Sequence, residues 1–306
     1  MNVDRDEIGE DGFSLVTVLY RSTASAQAEL DGWASVVEQL GRGVEWIVVD
    51  NSEDGADADY FAKFAEIENI RLERRPSNPG FALSSNLGAS LARHRWVVFL
   101  NPDIAPDLAK FRAVMRAVRA NDVPEATFAV GQITDQFRHQ GISLIQNVWF
   151  SDRAGSSKKA PIGPSGGFGI FERQVFERFG GFSEGLFAWG EDAELAIRMS
   201  SAGIPCVVVD EYFDHSGGHS FKAIPELRRR KVWLLARNRQ SIAWRHFSAP
   251  RLAYFQLFTL GVTLIKAPIH LRARTLGAVV RGNREGFGKK NAVQILKFQP
   301  LQRKPL

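Results

Sequence analysis

Two stretches do most to limit what this chain can fold into. Val44-Glu45-Trp46-Ile47-Val48-Val49-Asp50 and Trp96-Val97-Val98-Phe99-Leu100-Asn101-Pro102-Asp103 are apolar runs that each end in an acid. Runs with little polar alternation suit strands covered on both faces, as in parallel sheets. Ser14–Tyr20 reads as a further buried strand and Ile70–Glu73 as a short one, with helical patterns over 26–40 and 81–93 between them. Strands alternating with helices predict an α/β layer structure with a mainly parallel sheet. Ligands of such sheets bind beyond the carboxyl ends of the strands. Asp50 and Asp103 stand at those ends, and packing alone gives no reason for an acid at each.

The second half is less regular. Phe128–Ile133 reads as a strand, and Cys206-Val207-Val208-Val209 as a buried apolar run. The glycine-rich stretch from Gly163 to Gly169 permits close backbone approach to a ligand around Gly166 and Gly167, or a tight turn. At Trp189-Gly190-Glu191-Asp192 a helix is expected to begin, since Leu195, Ala196, Met199 and Ala202 share one helical face and Gly203 and Pro205 end it. Two carboxylates beside a tryptophan make a base next to a flat apolar platform, which suits a sugar ring. Acids in a first turn also complement the helix dipole. His215 lies in Asp214-His215-Ser216-Gly217-Gly218-His219-Ser220, after an apolar strand.

Charge divides the chain. The net charge of +5 hides eighteen Lys and Arg against two acids, Glu226 and Glu285, from residue 226 onward, and a net of −11 before it. An acidic body with a basic tail predicts an anionic partner for the tail. Leu252–Ile265 is uncharged and holds Tyr254, Phe255 and Phe258. Its fourteen residues fall short of the roughly 20 needed to span a bilayer. It reads as an interfacial helix, with Arg251, Lys266, Arg272 and Arg274 available to anionic headgroups. A nucleic-acid arm has no need of a continuous uncharged face, so no nucleic acid is expected. Packing on the body or on a second subunit, in a homo-oligomer, is the other reading of this helix. The single cysteine, Cys206, excludes an intramolecular disulfide framework and a cysteine-based zinc site. No signal-peptide pattern stands at the acidic, polar N-terminus, which points to the cytoplasm, and with the tail to the inner face of the cell membrane.

The ordered set Val48-Val49-Asp50-Asn51-Ser52, Asn78-Pro79-Gly80-Phe81, Phe99-Leu100-Asn101-Pro102-Asp103, Gly180-Gly181-Phe182 and Trp189-Gly190-Glu191-Asp192 resembles the family 2 glycosyltransferases of the GT-A fold, especially their rhamnosyltransferase-like branch. The resemblance covers roughly residues 13–245 and lies in the order and spacing of the motifs. It implies a GT-A-type nucleotide-binding α/β/α sandwich with a basic amphipathic helical extension. The implied divisions are an N-terminal tail at 1–12, a nucleotide-sugar-binding half at 13–120, an acceptor-binding catalytic half at 121–225 and a membrane-associating extension at 226–306.

The resemblance also implies roles. Tyr20, Asp50, Asn51, Asn78, Gly80, Phe81, Asn86 and Asn101 would form the nucleotide pocket, with Asp50 accepting hydrogen bonds from base or ribose. Asp103 stands where the family has the last acid of its Asp-x-Asp motif and would hold Mn²⁺ or Mg²⁺ against the donor diphosphate. Asn101 replaces the first acid of that motif, so one ligand charge is missing. His215 would be a further ligand, with His219 competing. Asp192 would be the general base and Glu191 would hold acceptor hydroxyls, or the reverse, with Trp189, Gly166 and Gly167 on the acceptor side. Arg21 stands where the family usually has Asn. The expected activity is inverting transfer of a sugar, rhamnose from dTDP-rhamnose foremost, from a nucleotide-sugar donor to a glycan or lipid-linked glycan acceptor. A nucleotidyltransferase, or a membrane-bound scaffold without activity, are the rival readings.

Overall fold

The computed structural model describes residues 11–134, 137–216 and 225–289. Nine strands form one sheet: β1 (Phe13–Leu19), β2 (Val44–Asp50), β3 (Ile70–Arg74), β4 (Trp96–Leu100), β5 (Thr127–Ile133), β6 (Arg138–Ile145), β7 (Trp149–Arg153), β8 (Phe168–Glu172) and β9 (Cys206–Asp214). Their order is β3-β2-β1-β4-β8-β5-β6-β7, with β9 on β5. The pairs β1–β2, β2–β3 and β1–β4 are parallel, as expected. The expectation of a mainly parallel sheet fails in the second half. There β8 runs antiparallel to both β4 and β5, β6 and β7 form an antiparallel hairpin, and only β9 lies parallel to β5. The GT-A-like α/β architecture stands, with a mixed sheet.

Every residue of β2 is buried, which explains its unbroken apolar run. Of its two acids, Glu45 accepts from Ser14 Oγ at 2.6 Å and from Arg93 N and Nε at 2.6 and 2.8 Å. Helices α1 (Thr23–Leu40), α2 (Ala56–Phe61), α3 (Phe81–Leu91), α4 (Leu108–Arg119), α5 (Arg173–Arg178) and α6 (Glu191–Ser201) complete the body. One core, on the α1 and α4 side, is built on Trp33, Phe111, Phe128 and Phe213. A second, on the α3 and α6 side, is built on Phe99, Phe171, Phe176 and Phe182. Trp33 matters beyond burial. Its Nε1 donates to Ile104 O at 2.8 Å and its ring stacks on Phe213, so it fixes the chain after β4 and the strand that leads to His215. Cys206 starts β9, where burial pushes its thiol up to about 12, so it stays a neutral packing group.

Three further helices follow: α7 (Pro225–His246), α8 (Ala249–Arg272) and α9 (Leu276–Gly286). The expected basic extension is in part body. In α7 Leu234, Ala236, Asn238, Gln240, Ser241, Ile242 and Ala243 are buried. His246 Nε2 meets the buried Glu194 of α6 at 2.8 Å. Helix α8 is longer than its uncharged stretch suggests, at 24 residues with a mean hydropathy of 1.4 in its most apolar window. Phe255 anchors it on Val148, Ala243 and Trp149, whereas Leu257, Leu260, Leu264, Ile265, Ile269 and Leu271 are exposed.

Candidate active site

The site is assembled from strand ends. Asp50 closes β2 fully buried, with Oδ1 accepting from Ser52 N at 2.7 Å. Its Oδ2 is buried with no hydrogen-bond partner among the described residues, and Arg74 Nε stands 3.8 Å away. Burial holds this carboxyl above the ordinary aspartate range. A buried acceptor oxygen left open at a strand's carboxyl end is costly unless something donates to it. Around it, Asn51 Oδ1 accepts from Ser84 Oγ at 2.7 Å and Asn51 Nδ2 reaches Gly80 O at 3.4 Å. Asn78 and Gly80 both take left-handed backbone, at φ 42° and 99°. A side chain on Gly80 would meet Phe187 Cδ2 at 2.6 Å, so the loop before α3 closes on the loop before α6. Arg21 also has a left-handed φ, 52°, a conformation that asparagine adopts readily. Its side chain is exposed and pairs with Glu53 at 3.3 Å, and Tyr20 Oη donates to the same Glu53 at 3.5 Å.

Asn86 departs from expectation. Its Oδ1 accepts from Phe182 N at 2.8 Å, and its Nδ2 donates to Phe182 O and Glu184 Oε1 at 2.9 and 3.1 Å. Both of its N–H donors and one lone pair of its oxygen tie α3 to the Gly180-Gly181-Phe182 turn. The residue that does shape the loops around Asp50 is Asp57. It is fully buried and accepts from Ser22 N, Thr23 N, Thr23 Oγ1 and Ser52 Oγ at 3.1, 3.0, 2.7 and 2.7 Å. It joins the loop after β1 to the loop after β2. Nothing in the sequence set it apart from other acids at a helix start.

At the end of β4, Asp103 and His215 are brought together from 112 residues apart, with Nε2 and Oδ1 at 3.0 Å. Backbone bonds Ser216 N to Asp103 O (3.0 Å) and Ala105 N to Asp214 O (2.8 Å) clamp the two segments. One carboxylate oxygen and one imidazole nitrogen suit Mn²⁺ or Mg²⁺, the softer nitrogen favouring the former. Two ligand atoms each about 2.1 Å from one ion lie about 3 Å apart at an octahedral angle, so the pair fits a shared cation. Among the described residues no group of three His, Cys, Asp or Glu side chains gathers here or elsewhere, so donor oxygens and water would complete the shell. The competing candidate His219 lies outside the described residues.

The dipeptide Gly166-Gly167 joins this end to the acid pair. Gly167 O accepts from Asn101 N at 2.9 Å, and Gly166 N donates to Asp192 Oδ2 at 3.0 Å. A side chain on Gly167 would strike Gln132 Oε1 at 2.6 Å, and one on Gly166 would occupy the space among Phe81, Glu191 and Asp192. Phe81, expected on the nucleotide side, therefore borders the acids of α6. Glu191 is buried, and its Oε2 has no hydrogen-bond partner among the described residues. Burial and the neighbouring Asp192 push it up to about 8. Asp192 is half-buried, and burial raises it to about 6 against the two backbone N–H groups of Gly166 and Ala193 that favour its charge. The two carboxyls titrate as a pair, with burial favouring the neutral form of Glu191 and two backbone N–H groups favouring the charged form of Asp192.

A carboxyl raised on folding stabilises the native state fully below its unfolded value and loses that stability as pH climbs through the folded value. Glu191→Gln removes this term. The variant should equal wild type near pH 4.5 and exceed it increasingly toward pH 8, by on the order of a few kcal/mol, in denaturation followed against pH.

The third first-turn acid, Glu194, is structural. It is fully buried and bonds Arg198 Nε at 2.8 Å as well as His246, and Arg198 in turn donates to the carbonyls of Phe179 and Gly181. Trp189 sits at φ 63° and Phe187 at φ 66°, left-handed positions that bulky residues avoid. What holds them is Asn238 of α7, fully buried, whose Nδ2 faces the carbonyls of Leu186, Ala188 and Trp189 at 3.0, 2.9 and 2.8 Å. No local pattern marks Asn238 for this role, because it lies in a helix that reads as a basic surface. Asn238→Ala should remove the side-chain donor from the carbonyls of Ala188 and Trp189 and lower stability by about 1–3 kcal/mol, measured by denaturation.

The family model for "Glycosyl transferase family 2" matches residues 15–180, and that for "N-terminal domain of galactosyltransferase" matches residues 162–217. A search of curated proteins finds no match. Solved structures share the fold. Mannosyltransferase PcManGT from Pyrobaculum calidifontis, in complex with GDP-Man and Mn²⁺, is 16% identical over 90% of this chain and 87% of that one, with a TM-score of 0.54. S. aureus TarS 1-349 in complex with UDP-GlcNAc is 15% identical over 89% and 81%, at 0.54. GalNAc-T7 with UDP, GalNAc and Mn²⁺ is 13% identical over 82% and 50%, at 0.55.

Proposed function

The chain belongs to glycosyl transferase family 2, and from that premise we propose that it is an inverting, cation-dependent enzyme that moves a sugar from a nucleoside diphosphate to a glycan or lipid-linked glycan. One observation carries the reading. The single dipeptide Gly166-Gly167 is bonded to Asp192 on one side and to the Asn101-Pro102-Asp103 turn on the other. In this reading that dipeptide links the base to the end that holds the diphosphate.

In this reading Asp192 accepts a hydrogen bond from an acceptor hydroxyl and takes its proton as the oxygen attacks the anomeric carbon. The bond from that carbon to the diphosphate oxygen breaks on the opposite face, which inverts the centre. Mn²⁺ or Mg²⁺ held by Asp103 and His215 would stabilise charge on the departing diphosphate. Glu191, whose neutral form burial favours, donates a hydrogen bond to a sugar hydroxyl, and Trp189 offers a stacking face. Asp50, with its open Oδ2, accepts from the base or ribose.

Rhamnose from dTDP-rhamnose is the first donor to try, on the resemblance of the motifs to the rhamnosyltransferase-like branch. A screen of nucleotide sugars with Mn²⁺, read as thermal stabilisation, tests it. A donor at 100 times its Kd adds about 2.7 kcal/mol. A larger shift with a UDP- or GDP-sugar would replace the donor and leave the transfer reading intact. No shift with any nucleotide sugar would overturn the reading.

The proposal places the enzyme on the cytoplasmic face of an anionic membrane through α8. The exposed Leu257, Leu260, Leu264, Ile265 and Ile269, with Arg251, Lys266, Arg272 and Arg274 nearby, support this. The protein should float with vesicles of phosphatidylglycerol and not of phosphatidylcholine, and Leu264→Asp/Ile265→Asp should stay in solution. Equal flotation with both lipids would remove the headgroup contribution.

A further inference from the structure

Next to Asn238 in α7 stands a cation that the transfer reaction as described does not use. Arg239 follows Asn238 on α7, and its guanidinium lies 4.0 Å from the centre of the Trp149 ring and 5.1 Å from that of Phe150. Its Nε is shielded from solvent and has no hydrogen-bond partner among the described residues. Among those residues no carboxylate stands within 4.0 Å of it. Asp152 of β7 is the acid whose charge it feels, and that acid pairs with His139 at 3.3 Å. Burial draws Arg239 down to about 10, the mark of a desolvated cation short of negative charge. The ring platform and the acid pair are neighbours. A side chain on Gly190 would stand 3.4 Å from Phe150 Cζ and 3.6 Å from Asn238 Cβ, and Asp192 feels the charge of Asp152. Two turns earlier on the same face of α7 (i, i+8) is Lys231, with Nζ 5.8 Å from the Trp189 ring centre.

We propose that Arg239 is an anion subsite on the acceptor side, and that the acceptor carries a phosphate or carboxylate group next to the sugar it presents to Asp192. This rests on the glycosyl-transfer reading above. A guanidinium on an aromatic face presents its outer N–H groups in a planar fork, which matches two oxygens of a phosphate or carboxylate. The sugar lies toward Trp189 and its anionic neighbour toward Trp149. Two sources offer this chemistry: the diphosphate of a lipid-linked glycan, or an acidic residue within a glycan chain.

The test is NMR of the arginine Nε–Hε resonances of the full chain, with Arg239 assigned from its loss in Arg239→Lys. The probes are geranyl diphosphate, methyl glucuronide and, as the neutral control, methyl glucoside. The Arg239 resonance is expected to shift and saturate with one anionic probe and to stay in place with methyl glucoside. Saturation by the diphosphate assigns a lipid-linked acceptor, and saturation by the glucuronide an acidic glycan. Arg239→Gln should weaken that binding at least 10-fold, measured by calorimetry, and Arg239→Lys should weaken it less. Resonances unmoved by either anion, an equal response to methyl glucoside, or undiminished binding by Arg239→Gln would each overturn the subsite. A nucleotide-sugar screen that succeeds while these fail would leave the transfer reading standing.

Discussion

Asp192→Asn is expected to bind donor like wild type and to lose about 10²–10⁴-fold in kcat, the range that a positioned base supplies. The amide keeps the size of the carboxylate and can still accept from Gly166 N, which donates to Oδ2 at 3.0 Å, but it cannot take a proton. In the wild type, turnover should rise with pH through about 6 as Asp192 ionises, since burial raises it to that value. Glu191 stays protonated to about 8, so Glu191→Gln should keep most of the turnover and that rising limb. Single-turnover rates with the preferred donor measure both. Near-normal turnover by Asp192→Asn would sink the assignment of the base. A collapse in Glu191→Gln together with an active Asp192→Asn would exchange the two roles.

Asp103→Ala is the second large effect. It leaves His215 as the one His, Cys, Asp or Glu ligand among the described residues for a cation at that end. Cation-dependent donor binding should weaken by about 10²–10³-fold, in keeping with the several kcal/mol that a bound cation contributes at a phosphoryl oxygen. Binding of the same donor without Mn²⁺ should change little. Calorimetry with and without Mn²⁺ separates the two, and an unchanged Mn²⁺ dependence would move the cation site away from Asp103.

The parallel half of the sheet and its strand ends were legible because they rest on local pattern. β2 and β4 are buried on both faces, so their sequences had to be apolar throughout, and an acid at the end of such a run stands out. In the mixed half β5 was legible as a strand, but the pairing was not. β8 follows a glycine-rich stretch with no strand period of its own, and its place between β4 and β5 is decided by partners far away in sequence. Asn86 misled for a similar reason. A polar residue in a helix after the loop Asn78–Phe81 reads as part of that loop's pocket, yet its amide is taken by a turn about 96 residues further on. The charge step at residue 226 was real as composition but misleading as a boundary. Asn238 and His246 lie beyond it and hold the Trp189 loop and Glu194.

By itself the sequence determined the elements whose cause is local. These are the buried strands, the acids that end them, the start of α6 at Trp189-Gly190-Glu191-Asp192, and the uncharged face within α8. Only the tertiary structure decided what those residues face. It set Asp103 against His215, buried Glu191 so that its neutral form is favoured, and turned a basic tail helix into the support of the Trp189 loop. The physical reason is one of range. Periodicity and capping act over a few residues, whereas desolvation and hydrogen-bond satisfaction depend on which distant segments close over a group.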